Sequence, residues 1–93
     1  MAFRFIYREE KHLLLKETRG VGFNEVIAAV EKGDILDDLQ HHNQRRYPNQ
    51  HILVVKIHHY VYAVPYVIDR KNETISMQTV YPSRSLNKKY LGR

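Results

Sequence analysis

The sequence predicts an α+β domain: a pair of N-terminal helices packed on an antiparallel sheet of three to four strands, followed by a short basic helix. Apolar residues recur with the helical period in the first third. Two neighbouring runs in the middle are rich in β-branched and aromatic residues, and a basic segment follows a serine near the end. The 93 residues, 43% of them hydrophobic, suffice for a single domain over residues 1–93 and exclude wholesale disorder.

Two helices are predicted for the first third. Residues 3–7 form either a short strand or an extended lead-in. Residues 8–19 place charged side chains at both ends of a leucine run, and the glycines that follow are typical of a helix stop. The second helix has an amphipathic stripe at positions i, i+3, i+4 and i+7: Phe23, Val26, Ile27 and Val30. Gly33 is well placed to follow its last turn.

The middle of the chain predicts a β-hairpin at the centre of the sheet. Residues 34–39 could add a short strand, and the polar residues 41–50 indicate an exposed loop. Residues 51–57 and 60–68 are the two strands of the hairpin. Both of its faces are largely apolar, so we expect it to be covered on both sides.

The turn of this hairpin is predicted to be His58-His59. A type I′ turn needs positive φ at both positions, which histidine adopts less readily than the favoured Asn-Gly. In this register His51 lies opposite Tyr66. Pro65 has no N–H to donate and therefore predicts a bulge or an unpaired position.

A third strand and a final helix complete the prediction. Residues 69–73 form a polar turn, and residues 74–81 alternate as a strand with Met77 and Thr79 on one face. Residues 83–91 form the basic helix, with Ser83 as its N-cap.

The charge of the chain is divided between its two ends. Residues 1–40 hold eight acidic and six basic side chains, whereas residues 41–93 hold two acidic and nine basic ones. The second part also has five of the six histidines and six of the seven tyrosines. A polyanion would be drawn to this part, and tyrosine rings can stack on bases. The alternative is a basic surface that is simply solvated.

Several functional classes are excluded or disfavoured. The chain has no cysteine, which excludes disulfides, thiolate zinc sites and cysteine catalysis. No apolar run approaches the ~18 residues of a membrane span, and the segment Met1-Ala2-Phe3-Arg4 does not open a signal peptide. We therefore expect a cytoplasmic protein without a membrane partner.

Metal chemistry is not expected either. The histidines lack the spacing of known metal motifs, so neither a metal site nor a cofactor is predicted. Asp34, Asp37 and Asp38 form an acidic cluster, but the last two point to opposite faces of a strand. We interpret these carboxylates as solvated side chains.

RNA cleavage needs no metal and no protein nucleophile, because the 2′-hydroxyl beside the scissile phosphate can attack it. The enzyme must supply a base, an acid and cations for the charged transition state. Histidine, lysine, arginine and tyrosine supply these groups. Arg84 and Lys88 lie four residues apart and share a helix face, with Lys89 and Tyr90 beside them.

Short motifs follow one another along nearly the whole chain: Arg19-Gly20-Val21 with Phe23 and Glu25-Val26, Tyr47-Pro48-Asn49-Gln50, Tyr60-Val61-Tyr62 with Val64-Pro65-Tyr66, and Pro82-Ser83-Arg84 with Lys88-Lys89-Tyr90-Leu91. In this order they resemble the BrnT-like toxins of type II toxin–antitoxin modules, whose fold is similar to that of the RelE and ParE toxins. The Gly-Val-x-Phe and Ser-Arg segments are the most telling. The resemblance implies a RelE/BrnT-like α+β fold.

The resemblance also implies a metal-independent endoribonuclease that arrests growth and is neutralised by a cognate antitoxin protein. Arg84 matches the arginine of the family's Ser-Arg segment, and Lys88 and Lys89 match its basic tail. The chain departs from the family at His51, where related sequences commonly carry arginine. At the family's N-terminal motif only Lys11 matches.

On this basis we predict two sets of site residues. Catalysis is assigned to Arg84 for the phosphorane, to His51 or another nearby histidine for proton transfer, and to Lys88. Contacts with RNA are assigned to a second set: Arg45, Arg46, Lys89 and Tyr90.

Each assignment has a structural alternative. Arg84 could brace the last helix, His51 could form a structural hydrogen bond, and the loop arginines could contact an antitoxin or only solvent. Two rival functions also stay open. One is a non-catalytic basic module that binds nucleic acid or protein, and the other is a ParE-like inhibitor of DNA gyrase.

Overall fold

The computed structural model describes residues 3–92; Met1, Ala2 and Arg93 lie outside the described residues. Within this range the chain forms three helices and a mixed six-stranded sheet. The elements in chain order are β1 (Arg4–Ile6), α1 (Glu9–Arg19), α2 (Phe23–Lys32), β2 (Ile35–Gln40), β3 (Gln50–Ile57), β4 (Tyr60–Asp69), β5 (Thr74–Met77), β6 (Tyr81–Pro82) and α3 (Arg84–Leu91). The sheet order is β1-β5-β4-β3-β2, and β6 pairs with β4.

The β3–β4 hairpin lies at the centre of the sheet, as predicted. His58 and His59 have φ angles of 51° and 66°, the positive values that a type I′ turn requires. The register places Ile57 opposite Tyr60 and continues without a shift to His51 opposite Tyr66. The predicted turn and register are therefore confirmed.

Both faces of this hairpin are covered. On one face, α1 and α2 contribute to a buried core that includes Phe23, Val26, Val55 and Val64. On the other face, Val54, Val61 and Ala63 are almost fully buried, and α3 packs against β4. The apolar pattern on both faces predicted this arrangement.

The prediction of three to four antiparallel strands is wrong, because the sheet has six strands and one parallel pair. For residues 3–7 the sequence predicts either a short strand or an extended lead-in. Within them, Arg4–Ile6 forms β1 and pairs in parallel with β5, beginning where the Arg4 N–H donates to the Glu73 carbonyl at 2.8 Å. The predicted strand 74–81 is divided into β5 and β6.

A bulge opposite Pro65 divides that strand. Tyr66 of β4 pairs with Met77 of β5. Ala63, three residues before Tyr66, pairs with Tyr81 of β6, which lies four residues after Met77. The opposing chain thus has one extra residue where Pro65 has no N–H to offer, which is the irregularity that the proline predicted.

The extra residue changes which side chains face the core. The alternation predicted Thr79 on the same face as Met77, but Val80 is buried there instead. The Gln78 N–H donates to the Pro65 carbonyl at 2.8 Å, and the Arg19 guanidinium donates to the Val80 carbonyl at 2.6 Å. These bonds satisfy the backbone at the bulge.

The start of α2 explains the Gly-Val-x-Phe motif. Gly22 has no side chain to cap the helix, and the His12 Nδ1 atom accepts from the Phe23 N–H at 3.2 Å instead. The Glu25 carboxylate accepts from the Gly22 N–H at 2.6 Å and pairs with the Lys16 ammonium at 2.8 Å. Burial alone would raise the pKa of Glu25, but the bonds from Lys16 and Gly22 lower it overall.

Helix α3 begins where its sequence predicts. The Ser83 hydroxyl accepts from the Leu86 N–H at 3.2 Å and so caps the helix. Asn87 is buried, and its side-chain oxygen accepts from the Val61 N–H at 3.1 Å. This bond holds α3 against β4, on the sheet face opposite α1 and α2.

Replacing Gly22 with alanine should destabilise the fold, because the new Cβ would lie 2.6 Å from the His12 Nδ1 atom. We expect Gly22→Ala to lower the free energy of unfolding by about 1–3 kcal/mol, measured by urea denaturation. In a His12→Ala background, which is the control, the same change should cost almost nothing. An equal loss in both backgrounds would show that the clash is not the cause.

Candidate functional site

The end of the sheet where β2, β3 and β4 lie side by side brings together His51, Asp38 and Tyr66. His51 pairs with Gln40 of β2 and with Tyr66 of β4. The rings of His51 and Tyr66 are stacked with centroids 5.2 Å apart. The Tyr66 hydroxyl donates to the Asp38 carboxylate, at 2.8 Å from each of its oxygens. The His51 Nδ1 atom lies 3.6 Å from the Asp38 Oδ1 atom.

These three side chains differ in their exposure. Tyr66 is buried and Asp38 is about half exposed, at 49% of its side-chain surface. The imidazole of His51 keeps 12% of its surface exposed. Among the described residues, nothing hydrogen-bonds to the buried Nδ1 atom of His51. A buried polar atom without a partner is costly and is often found at functional sites.

The electrostatics keep Tyr66 protonated. Burial raises the pKa of its hydroxyl, and the hydrogen bond to Asp38 and the charge of Asp38 raise it further. The Arg70 charge opposes this shift to a smaller extent. Tyr66 therefore acts as a hydrogen-bond donor that fixes the Asp38 carboxylate, and not as a base.

The arrangement can hold and move a proton at His51. A carboxylate beside an imidazole orients the ring for proton transfer. The 3.6 Å separation exceeds a hydrogen bond, but bonds of this kind are often long in unliganded sites and shorten when substrate binds.

The adjacent Asp37 is bonded on the other face of the sheet. Its carboxylate accepts a short hydrogen bond from the Tyr90 hydroxyl of α3, and this bond lowers the pKa of Asp37. The interpretation of Asp37 and Asp38 as solvated side chains is incomplete: Asp38 is exposed and Asp37 is half-buried, but each also accepts a hydrogen bond from a tyrosine. Their opposite orientations are as predicted. Edge strand β2 is held from both faces by Tyr66 and Tyr90.

The predicted residues of α3 lie on the face opposite His51. Arg84, Lys88 and Lys89 are exposed, and Tyr90 is half-buried against Asp37. Helix α3 begins beside Pro82, which pairs with Tyr62 of β4. Tyr62 lies four residues, or about 13 Å, along the strand from Tyr66, the partner of His51. The structure does not bring Arg84 or Lys88 to His51, and their separate roles stay predictions.

The two loop arginines lie at the same end of the sheet as His51. Arg45 and Arg46 are exposed in the segment between β2 and β3, and the Arg46 guanidinium lies 5.5 Å from the centre of the Tyr47 ring. The loop begins where the His41 N–H donates to the Gln50 carbonyl, next to His51. The predicted RNA-binding set is thus divided between this loop and the C-terminal end of α3.

Sequence reasoning found one neighbour of His51 and missed the other. The predicted register places Tyr66 opposite His51, as the structure has it. Asp38 could not be found in this way, because its position along β3 depends on a register shift between Ile35 and Asp37. No turn residue or periodic pattern in the sequence indicates that shift.

Within residues 3–92, no group of three or more histidine, aspartate or glutamate side chains could hold a metal ion. No helix in the described part of the chain is long and apolar enough to cross a membrane. Comparison with known proteins gave no matching family model, no matching curated protein and no matching solved structure.

Replacing Asp38 with asparagine should lower the pKa of Tyr66, because the carboxylate charge and its strong hydrogen bond are lost. Absorbance at 295 nm, followed against pH, would show a tyrosine that ionises earlier in Asp38→Asn than in the wild type. The change should be absent in a Tyr66→Phe background. An unchanged titration in Asp38→Asn would show that Asp38 does not raise the pKa of Tyr66.

The same pair should affect stability at high pH. A raised folded-state pKa stabilises the fold fully below the ordinary tyrosine pKa of about 10, and this contribution is lost as pH rises above it. We expect the free energy of unfolding to fall less steeply above pH 10 in Tyr66→Phe than in the wild type. Urea denaturation at pH 8 and pH 11 would measure the difference. Equal slopes would contradict it.

Proposed function

We propose that this chain is the toxin of a type II toxin–antitoxin system, with a RelE/BrnT-like fold and a metal-independent endoribonuclease activity. The observation that carries the proposal is the His51–Asp38 pair, which lies at the same end of the sheet as the loop that holds the exposed Arg45 and Arg46. The order of motifs along the sequence supports the family. The α+β architecture with a basic C-terminal helix agrees with it.

In the proposed reaction, His51 is the catalytic residue. It takes the proton of the RNA 2′-hydroxyl as that oxygen bonds to the adjacent phosphorus. The bond from phosphorus to the 5′-oxygen then breaks, the leaving oxygen takes a proton from water, and His51 returns its own proton to the solvent. The products are a 2′,3′-cyclic phosphate and a 5′-hydroxyl. Asp38 and Tyr66 are positioning residues that hold the imidazole.

We assign the arginine and lysine side chains roles that differ from those that the sequence indicated. Arg45 and Arg46 lie at the same end of the sheet as His51, so they are the closer candidates for contact with the scissile phosphate. Arg84, Lys88 and Lys89 lie on the opposite face and would attract RNA at long range. Tyr90 holds Asp37, so its hydroxyl is already bonded.

Replacing His51 with glutamine should reduce RNA cleavage by about 10²- to 10⁴-fold, because the proton acceptor is removed. The assay uses purified, antitoxin-free protein incubated with total RNA in EDTA. His59→Gln, at an exposed turn histidine, is the matched control and should keep full activity. Arg84→Ala should retain the chemical step and weaken RNA binding, with an effect that salt reduces.

Three outcomes would contradict the proposal. Cleavage that depends entirely on added divalent metal would exclude this mechanism. Intact RNA from folded protein would favour the non-catalytic binding module, or, if DNA supercoiling is inhibited, the gyrase inhibitor. Equal cleavage by the wild type and His51→Gln would place the active site elsewhere.

The antitoxin is tested in cells. Expression of the chain alone should arrest growth, and co-expression of a neighbouring reading frame for a small DNA-binding protein should restore it. Growth arrest by His51→Gln at the wild-type level would show that the toxicity does not come from RNA cleavage.

A further inference from the structure

The loop between β2 and β3 is built around stacked rings. The imidazoles of His41 and His42 are stacked with centroids 4.5 Å apart, and the Tyr47 ring lies 4.4 Å from His41. The Arg46 guanidinium lies over the Tyr47 ring. We call His41, His42, Arg46 and Tyr47 the ring cluster.

Hydrogen bonds hold this loop in one conformation. The Gln44 side-chain amide donates to the carbonyls of His41 and Gln50, at 2.8 and 3.3 Å. The Asn43 N–H donates to the His41 Nδ1 atom, and the Tyr47 N–H donates to the Asn43 carbonyl. The rings are therefore ordered before any ligand binds, which reduces the entropic cost of binding.

The outer part of the ring cluster lies at the surface. His42 and Arg46 are exposed, and His41 and Tyr47 are half-buried. The ten residues 41–50 include two arginines and no carboxylate. The exposed ring at the end of this stack, with two arginines in the same loop, suits a flat, negatively charged ligand.

We propose that the ring cluster is a stacking platform for the unpaired bases of single-stranded RNA. Every base has a π-face that stacks on aromatic rings, and the arginines attract the phosphates between bases. In a duplex these faces are covered by neighbouring base pairs, so the platform selects single strands. The inference rests on the proposed function for the identity of the nucleic acid as RNA.

The position of the platform relates it to the candidate site. His41 follows Gln40, which pairs with His51. A strand of RNA whose base stacks on the ring cluster is therefore held at the same end of the sheet as the His51–Asp38 pair. The platform would choose which nucleotides reach that pair, and the chain would cut unpaired regions of RNA.

The test measures binding without cleavage. A fluorescein-labelled ten-nucleotide 2′-O-methyl RNA has no free 2′-hydroxyl and cannot be cut by the proposed reaction. Fluorescence anisotropy would compare its affinity as a single strand and as a duplex with its complement. We expect the wild type to bind the single strand at least tenfold more tightly.

Variants at His42 separate stacking from charge. His42→Ala should weaken single-strand binding by about 5- to 100-fold, His42→Tyr should restore it, and His42→Lys should not. His59→Ala removes an equally exposed histidine from the hairpin turn and should leave binding unchanged. Wild-type affinity in His42→Lys, or in His42→Ala, would overturn the platform. Equal binding of single strand and duplex would also overturn it.

The two proposals fail separately. Tight, His42-dependent binding of the single strand without any cleavage of ordinary RNA would support the platform and contradict the endoribonuclease. Cleavage of ordinary RNA that His42→Ala leaves unchanged, together with unchanged binding, would contradict the platform and keep the endoribonuclease.

Discussion

The structure depends on one constraint, which is that the β3–β4 hairpin is apolar on both faces. A strand pair of this kind cannot lie at the surface, so helices must cover it from both sides. Helices α1 and α2 bury one face, and α3 buries the other. The two-residue turn at His58 and His59 fixes the register, and the register alone places His51 opposite Tyr66. The position of the candidate site thus follows from the register of the hairpin that forms the core.

Strand β2, at the edge of the sheet, is held in place by side chains from other elements. Its neighbouring carboxylates, Asp37 and Asp38, point to opposite faces, and each accepts from a tyrosine that belongs to a different element. Charged side chains on an edge strand also discourage pairing with another chain. The same two residues therefore orient the strand, protect its edge and, through Asp38, supply the carboxylate beside His51.

The sequence predicted the fold where local chemistry decides the outcome. Gly33 at the end of α2, Ser83 at the start of α3 and the histidine turn are such cases, because each depends on a few adjacent residues. It failed where the outcome depends on a distant partner. The extra residue near Val80 exists because of Pro65 on the neighbouring strand, and Asp38 reaches His51 only through a register shift in β2.

The predicted site residues also differ in the distance over which each can act. Proton transfer requires heavy atoms within about 2.6–3.2 Å, so a catalytic set must share one face of the sheet. Arg84 and His51 were grouped by motif and chemistry, and the sheet lies between them. Electrostatic attraction acts over a Debye length of about 8 Å or more, so a basic helix on the far face can still draw RNA to the molecule. On the proposed function, the two faces therefore have different roles: α3 attracts the polyanion at long range, and chemistry is confined to the end of the sheet where the loop arginines lie and where a buried tyrosine holds a carboxylate beside one histidine.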